Sequence, residues 1–188
     1  MGTITRAMLA YYDEHGRYPP LAIYDENGKP LLSWRVALLP YLQEDNLYNQ
    51  FKLNQPWDSE ENKKLLAQMP LAYGPEGTET FYQVFTGKGT VFDGPDGVKR
   101  EDITHGTDRT VLLVEAGKAV PWTKPDDLVY DPGKPLPKLG GGLFKDGFHL
   151  ANAGGAVRFV KMKFNEKIMR AMIPRDGTES IDWLDLDK

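Results

Sequence analysis

The chain opens on "TITRAMLAYYDEHG", residues 3–16, where Ile4, Ala7, Met8, Tyr11, Tyr12 and His15 recur at helical spacing. A helix with one apolar stripe must lay that stripe on another layer of structure, so its first turns already demand a partner surface. Gly16 provides a C′ residue, and "RYPP" at 17–20 prevents the helix from continuing. The stripe begins without an entry loop. The expectation is that this sequence starts inside a longer helix, with "MG" as an added start.

From residue 80 the period changes. "TFYQVFTG", "TVFDG" and "TVLLVEAG" are short, β-branched and aromatic, and bounded by glycine, which predicts strands. "FHLANAGGAVRFV" holds two alternating runs around Asn152–Gly155 and predicts a hairpin. Helices first and antiparallel strands later predict an α+β fold in one domain spanning 1–188.

Between these halves lie shorter signals. Asn27-Gly28 marks a turn between two short apolar stretches. In "SWRVALLPYL", residues 33–42, Ser33 can cap a helix that Pro40 kinks or ends, and "EDNLYNQF" continues as a second helical piece. "PWDSEENKKLLAQMP" predicts a helix capped by Asp58, with Glu61 at the capping-box position and Leu65, Leu66 and Met69 on its apolar face. Residues 117–147 are rich in Pro and Gly and predict one long loop region. "NEKIMRAMI" predicts a last helix capped by Asn165, and "SIDWLDLD" an edge strand or a tail.

Composition bounds the function. The 188 residues are 40% hydrophobic and 27% charged, with a net charge of -4, so no general attraction to nucleic acid or anionic lipid is expected. Lys161, Lys163, Lys167 and Arg170 cluster, but Glu166 interrupts them, as on a solvated helix face. The absence of cysteine excludes disulfides, thiolate metal sites and cysteine nucleophiles. No apolar run approaches the roughly 20 residues that span a bilayer.

Few residues nominate chemistry. Glu115 ends the strongest strand and His149 lies in the later hairpin, so the two can meet as an acid–base pair or as a hydrogen-bonded strand end. The structural reading is preferred, because nothing local supplies a nucleophile or second acid. "DGPDG" at 93–97 and "ITHGTDRT" at 103–110 are oxygen-rich, but they lack the twelve-residue calcium-loop pattern and read as turns. "GGG" at 140–142 lacks the Lys-Ser/Thr of a phosphate loop. The tryptophans and nine tyrosines can form a core or a stacking surface for a glycan or small solute. Trp57, Trp122 and Tyr130, with Glu115 and His149, are the candidate ligand-binding residues. No catalytic, cofactor-binding or metal-binding residue is assigned, and no cofactor is expected.

The order "AYYDEHGRYPP", "SWRVALLPYL", "LYNQFKLNQPWDSEENKKLL" resembles a large bacterial family of pseudopilin-like proteins of unknown function. "TVLLVEAG", "VPWTKPDDL" and "FHLANAGGAVRFV" follow in the family's order. Two departures stand out. Ala153-Gly154-Gly155 replaces the family's Asp-Gly-Ser turn, and the cysteines of many members are absent. The resemblance implies a pilin-like layout: an N-terminal helix, its membrane half outside this sequence, packed on an antiparallel sheet with inserted short helices. In that layout Trp34, Val36, Leu38 and Leu39 pack the insertions onto the sheet, while Arg35 pairs with an acid or snorkels. It implies an extracytoplasmic, membrane-anchored, non-enzymatic domain of the cell envelope. Its expected partners are other pseudopilin-like subunits or envelope proteins in a type II secretion-like or surface assembly. The alternative is an extracellular solute- or glycan-binding module.

The helical stripe yields a first prediction. Met8→Asp should cost several kcal/mol, on the order of a buried charge with no partner. An unchanged melting temperature would remove Met8 from the core.

Overall fold

The computed structural model describes residues 1–188 and is an α+β protein. Helix α1 (Gly2–His15) leads to strands β1 (Ala22–Tyr24) and β2 (Pro30–Ser33), then to short helices α2 (Trp34–Ala37), α3 (Asp45–Tyr48) and α4 (Glu60–Lys63). Next come β3 (Glu79–Gln83), β4 (Phe85–Thr86), β5 (Val111–Pro121) and β6 (Leu128–Val129). Strands β7 (Gly147–Asn152) and β8 (Val157–Lys161) and helix α5 (Glu166–Ala171) complete the order. The main sheet is antiparallel throughout, in the order β3-β5-β7-β8. β1 and β2 form a small antiparallel hairpin, and β4 and β6 a two-residue parallel pair. No helix is long and apolar enough to cross a membrane.

The sheet divides the interior. Side chains alternate across a strand, so Phe148 and Leu150 of β7 enter one apolar cluster and Ala151 the other. The larger cluster joins Ile4, Ala7 and Met8 of α1 to Trp34, Val36, Leu38 and Leu39 and to Leu113 of β5. The smaller joins Val114, Phe148, Leu150 and Val160 to Met169, Met172 and Ile173 around α5. Gly16 ends α1 in the left-handed region at φ 71, where its N–H donates to the Tyr12 carbonyl. At the β7–β8 turn Gly155 has φ +97, and a Cβ there would stand 2.7 Å from Leu9 Cδ1. Its conformation favours glycine, whereas the Leu9 side-chain tip could shift.

The larger cluster encloses an ion pair. Arg35 and Asp127 lie 2.7 Å apart with both side chains wholly buried. Every guanidinium N–H has an acceptor: Nε and Nη2 donate to the Tyr82 carbonyl, and Nη1 to the Ser33 hydroxyl and to Asp127 Oδ2. Nη2 also donates to Asp127 Oδ1. The carboxylate further accepts from the Trp34 indole and the Val84 backbone N–H. Burial pushes the Asp127 carboxyl up, opposed by Arg35 and these N–H donors. Asp127 therefore joins α2 to the junction of β3 and β4 and stands directly before β6, the partner of β4.

Several local expectations need correction. Ser59, not Asp58, caps α4, its hydroxyl accepting from the Asn62 N–H at 3.3 Å. The helix lasts only to Lys63, and within it Asn62 turns inward, bonding the carbonyls of Lys52, Gln55 and Pro56 and the N–H of Lys52. Helix α2 stops at Ala37, and Pro40 sits in a separate 3-10 turn over Leu39–Leu42. "TVFDG" forms only a bridge between Phe92 and Thr86 rather than a strand. Conversely, β5 continues to Pro121 and β6 lies at Leu128–Val129, so residues 117–147 are not one loop. "SIDWLDLD" contains a 3-10 turn at Trp183–Asp185 rather than an edge strand. Leu186 is buried there, and Asp187 binds Arg158 and the Lys161 N–H beside the edge strand β8.

The ion pair gives a second prediction. Arg35→Met or Asp127→Asn alone should cost about 3–5 kcal/mol, since each strands a buried polar partner. Arg35→Met with Asp127→Asn should cost clearly less than the sum of the two single changes. Denaturant unfolding of the four proteins measures this; additive losses would show that the pair does not act as a unit.

Candidate functional site

Glu115 lies on β5 where Tyr82 pairs from β3, and His149 lies on β7, the strand paired with β5 on its other side. Glu115 is almost fully buried. Its Oε2 accepts the His149 backbone N–H at 2.9 Å, and Oε1 lies 2.9 Å from His149 Nδ1. A carboxylate only accepts, so in this contact Nδ1 carries a proton. The ring stands edge-on between Phe144 and Phe159, each 5.1 Å away. The Tyr82 phenol is pushed up to about 12, first by burial and then by the Glu115 charge.

This group can orient an imidazole and hold its proton at a stated atom. Neither Glu115 nor His149 lines any of the three principal cavities. The sequence-predicted contact is therefore formed, outside those cavities.

The other candidates are dispersed. Trp122 is wholly buried, stacked 5.9 Å from Tyr73 and edge-on to Phe51, and its indole N–H donates to the Leu66 carbonyl. It presents no surface to a ligand. Trp57 is half-buried, with the Lys124 ammonium 5.8 Å from its ring centre. Tyr130 lines a cavity of about 980 Å³ between α5 and residues 179–185. Of the two cations there, Arg170 is already engaged, its Nε binding Glu166 at 2.8 Å and its Nη2 donating to the Lys134 carbonyl. The structure thus brings Glu115 and His149 together and leaves Trp57, Trp122 and Tyr130 apart.

Residues 1–86 match a family described as "Protein of unknown function (DUF1559)". The first half of the chain is similar to that family. The matched span contains α1, the Ser33-Trp34-Arg35 run and Trp57, whereas Asp127, Glu115 and His149 lie beyond it. No curated protein and no solved structure matches.

The third prediction is a pH dependence. Tyr82 ionises at about 12 when folded, against an ordinary 10.0. Because the folded value is the higher, this contribution to stability is fully present below the unfolded value and is lost as pH rises through the folded one. Tyr82→Phe should therefore flatten part of the stability loss in strongly alkaline solution, and Glu115→Gln should lower the pH at which Tyr82 titrates. Phenolate absorbance and denaturation curves follow the two effects; a Tyr82 titration unmoved by Glu115→Gln would separate the groups.

Proposed function

We propose that this chain is a non-enzymatic, pseudopilin-like domain that works outside the cytoplasm, anchored at the membrane in the native protein, and associates with like subunits or envelope proteins. The observation supporting this reading is the setting of α1. The helix lays its apolar stripe on one side of an antiparallel sheet, and an uncovered apolar area lies on that sheet around His149. Phe144, Phe159 and Val157 are 41%, 38% and 37% exposed, and the two phenylalanine rings meet at 5.7 Å around His149. Contiguous exposed apolar groups mark association surfaces more often than isolated ones do. In this reading Glu115 holds His149 as part of the surface framework and turns over no substrate.

The fourth prediction tests localisation and chemistry together. In cells carrying the complete native gene, the domain should fractionate with the envelope and be digested by protease added from outside the cytoplasmic membrane. Phe144→Asp with Phe159→Asp should reduce its cross-linking to neighbours while leaving the fold intact by circular dichroism. A protease-protected cytoplasmic pool would refute the localisation. Turnover in a hydrolase and transferase screen, abolished by His149→Ala or Glu115→Gln in folded protein, would replace assembly with enzymatic function.

A further inference from the structure

The carboxyl end of α1 borders a second kind of surface. Between α1, β1, the Leu39–Leu42 turn and α3 lies a cavity of about 410 Å³ walled by Tyr11, Tyr24, Tyr41 and Tyr48. Pro20, Pro40 and Pro95 also line it, and proline walls have little freedom to collapse. The four tyrosines are all half-buried, so each shows part of its ring to the cavity. One phenol is fixed: Tyr41 donates to Glu14 Oε2 at 3.0 Å and lies 2.8 Å from His15 Nε2. The hydroxyls of Tyr11, Tyr24 and Tyr48 make no hydrogen bond within the protein, leaving them for solvent or a ligand.

Next to it lies a cavity of about 460 Å³ with a different lining. It shares Ile23, Tyr24 and Leu53 with the first, so the two form one cleft. Its remaining walls are Asp25, Glu26, Asn27 and Asn54. Asp25 Oδ1 is occupied by the N–H groups of Asn27 and Lys29, which fixes the turn. The side chains of Glu26, Asn27 and Asn54 make no hydrogen bond within the protein.

We propose that this cleft binds a neutral oligosaccharide, its ring faces stacked in the tyrosine cup and its hydroxyls held by the amide and carboxylate groups beyond Tyr24. The chemistry matches on both sides. A sugar ring has an apolar C–H face that suits an aromatic wall and a rim of hydroxyls that needs paired donors and acceptors. The cleft offers both in sequence, within the size range of small-molecule sites. The free phenols of Tyr11 and Tyr24 remain neutral donors, since burial raises both, while Tyr41, whose proton goes to Glu14, contributes its ring. Glu14, Asp25 and Glu26 around the cleft disfavour acidic sugars. Proline-rich peptides also favour aromatic walls, but they need an extended groove of ridges. Here Tyr11 meets Tyr41 at 61° and His15 at 41°, which makes a cup.

The test is a neutral-glycan array followed by titration of the intact chain with maltotriose, cellotriose and chitotriose. Backbone amide shifts of the unmutated protein are recorded alongside calorimetry. At least one probe should bind and move amides of residues 23–27 and 48–54. Tyr24→Ala should weaken binding about tenfold, the loss expected for one stacking ring. Asn54→Ala should weaken it less, and Phe159→Ala on the distant patch should leave it unchanged. If Tyr24→Ala does not fold, Tyr24→Leu combined with the shift map of the unmutated protein decides the same point. No binding at millimolar probe, shifts confined to other surfaces, or selective binding of a proline-rich peptide would each overturn the proposal.

Discussion

The buried pair of Arg35 and Asp127 is the constraint on which the rest of the larger core depends. Removing both charges from water is costly, and the cost is met only because all five guanidinium N–H groups and the carboxylate have partners. Those partners belong to segments far apart in sequence: Ser33 and Trp34, Tyr82 and Val84, and Asp127 itself. The Arg35 guanidinium also lies 4.5 Å from the Trp34 ring centre, and the Arg35 carbonyl accepts from Tyr73. The pair fixes where the inserted helices meet the sheet, and a shifted alignment would leave buried polar groups unpaired.

Helix α1 ties the proposed surfaces together. Its 14 residues extend about 20 Å. At its carboxyl end Tyr11 and His15 enter the tyrosine cup, and the Glu115–His149 pair with Phe144 and Phe159 lies on the sheet, away from that cup. The middle of the helix is held by Ile4, Ala7 and Met8, all in the larger cluster. Association on the sheet and saccharide binding at the cup would therefore not compete for residues.

Local signals in the sequence were legible where the physics is local. Gly16 as a C′ residue, the Asn27-Gly28 turn, Ser33 and Asn165 as caps and the hairpin at 147–161 each depend on neighbouring residues, and each is found in the structure. Where two local candidates competed, pattern alone failed. Asp58 and Ser59 are both good caps, and the inward turn of Asn62, which no helical pattern announces, accompanies the choice of Ser59. The length of β5 escaped for a similar reason: Gly117 and Pro121 look like loop residues, yet β3 pairs with the strand as far as Pro121. Among the site candidates, the Glu115–His149 contact was readable because both residues occupy strands of one predicted sheet. Trp122 was not, since a tryptophan in a core and one on a binding surface look alike until packing decides. The tyrosine cup was missed because Tyr11 read only as part of the helical stripe.

The sequence by itself determined the α+β class, the amphipathic first helix and the need of Arg35 for an acid or for solvent, since these follow from period, composition and the cost of burying charge. Only the tertiary structure decided that the acid is Asp127, 92 residues away. It also decided that His149 meets Glu115, and that four tyrosines from α1, β1, a 3-10 turn and α3 line one cavity. Such choices depend on which segments approach in space, and no local pattern of side chains encodes that approach.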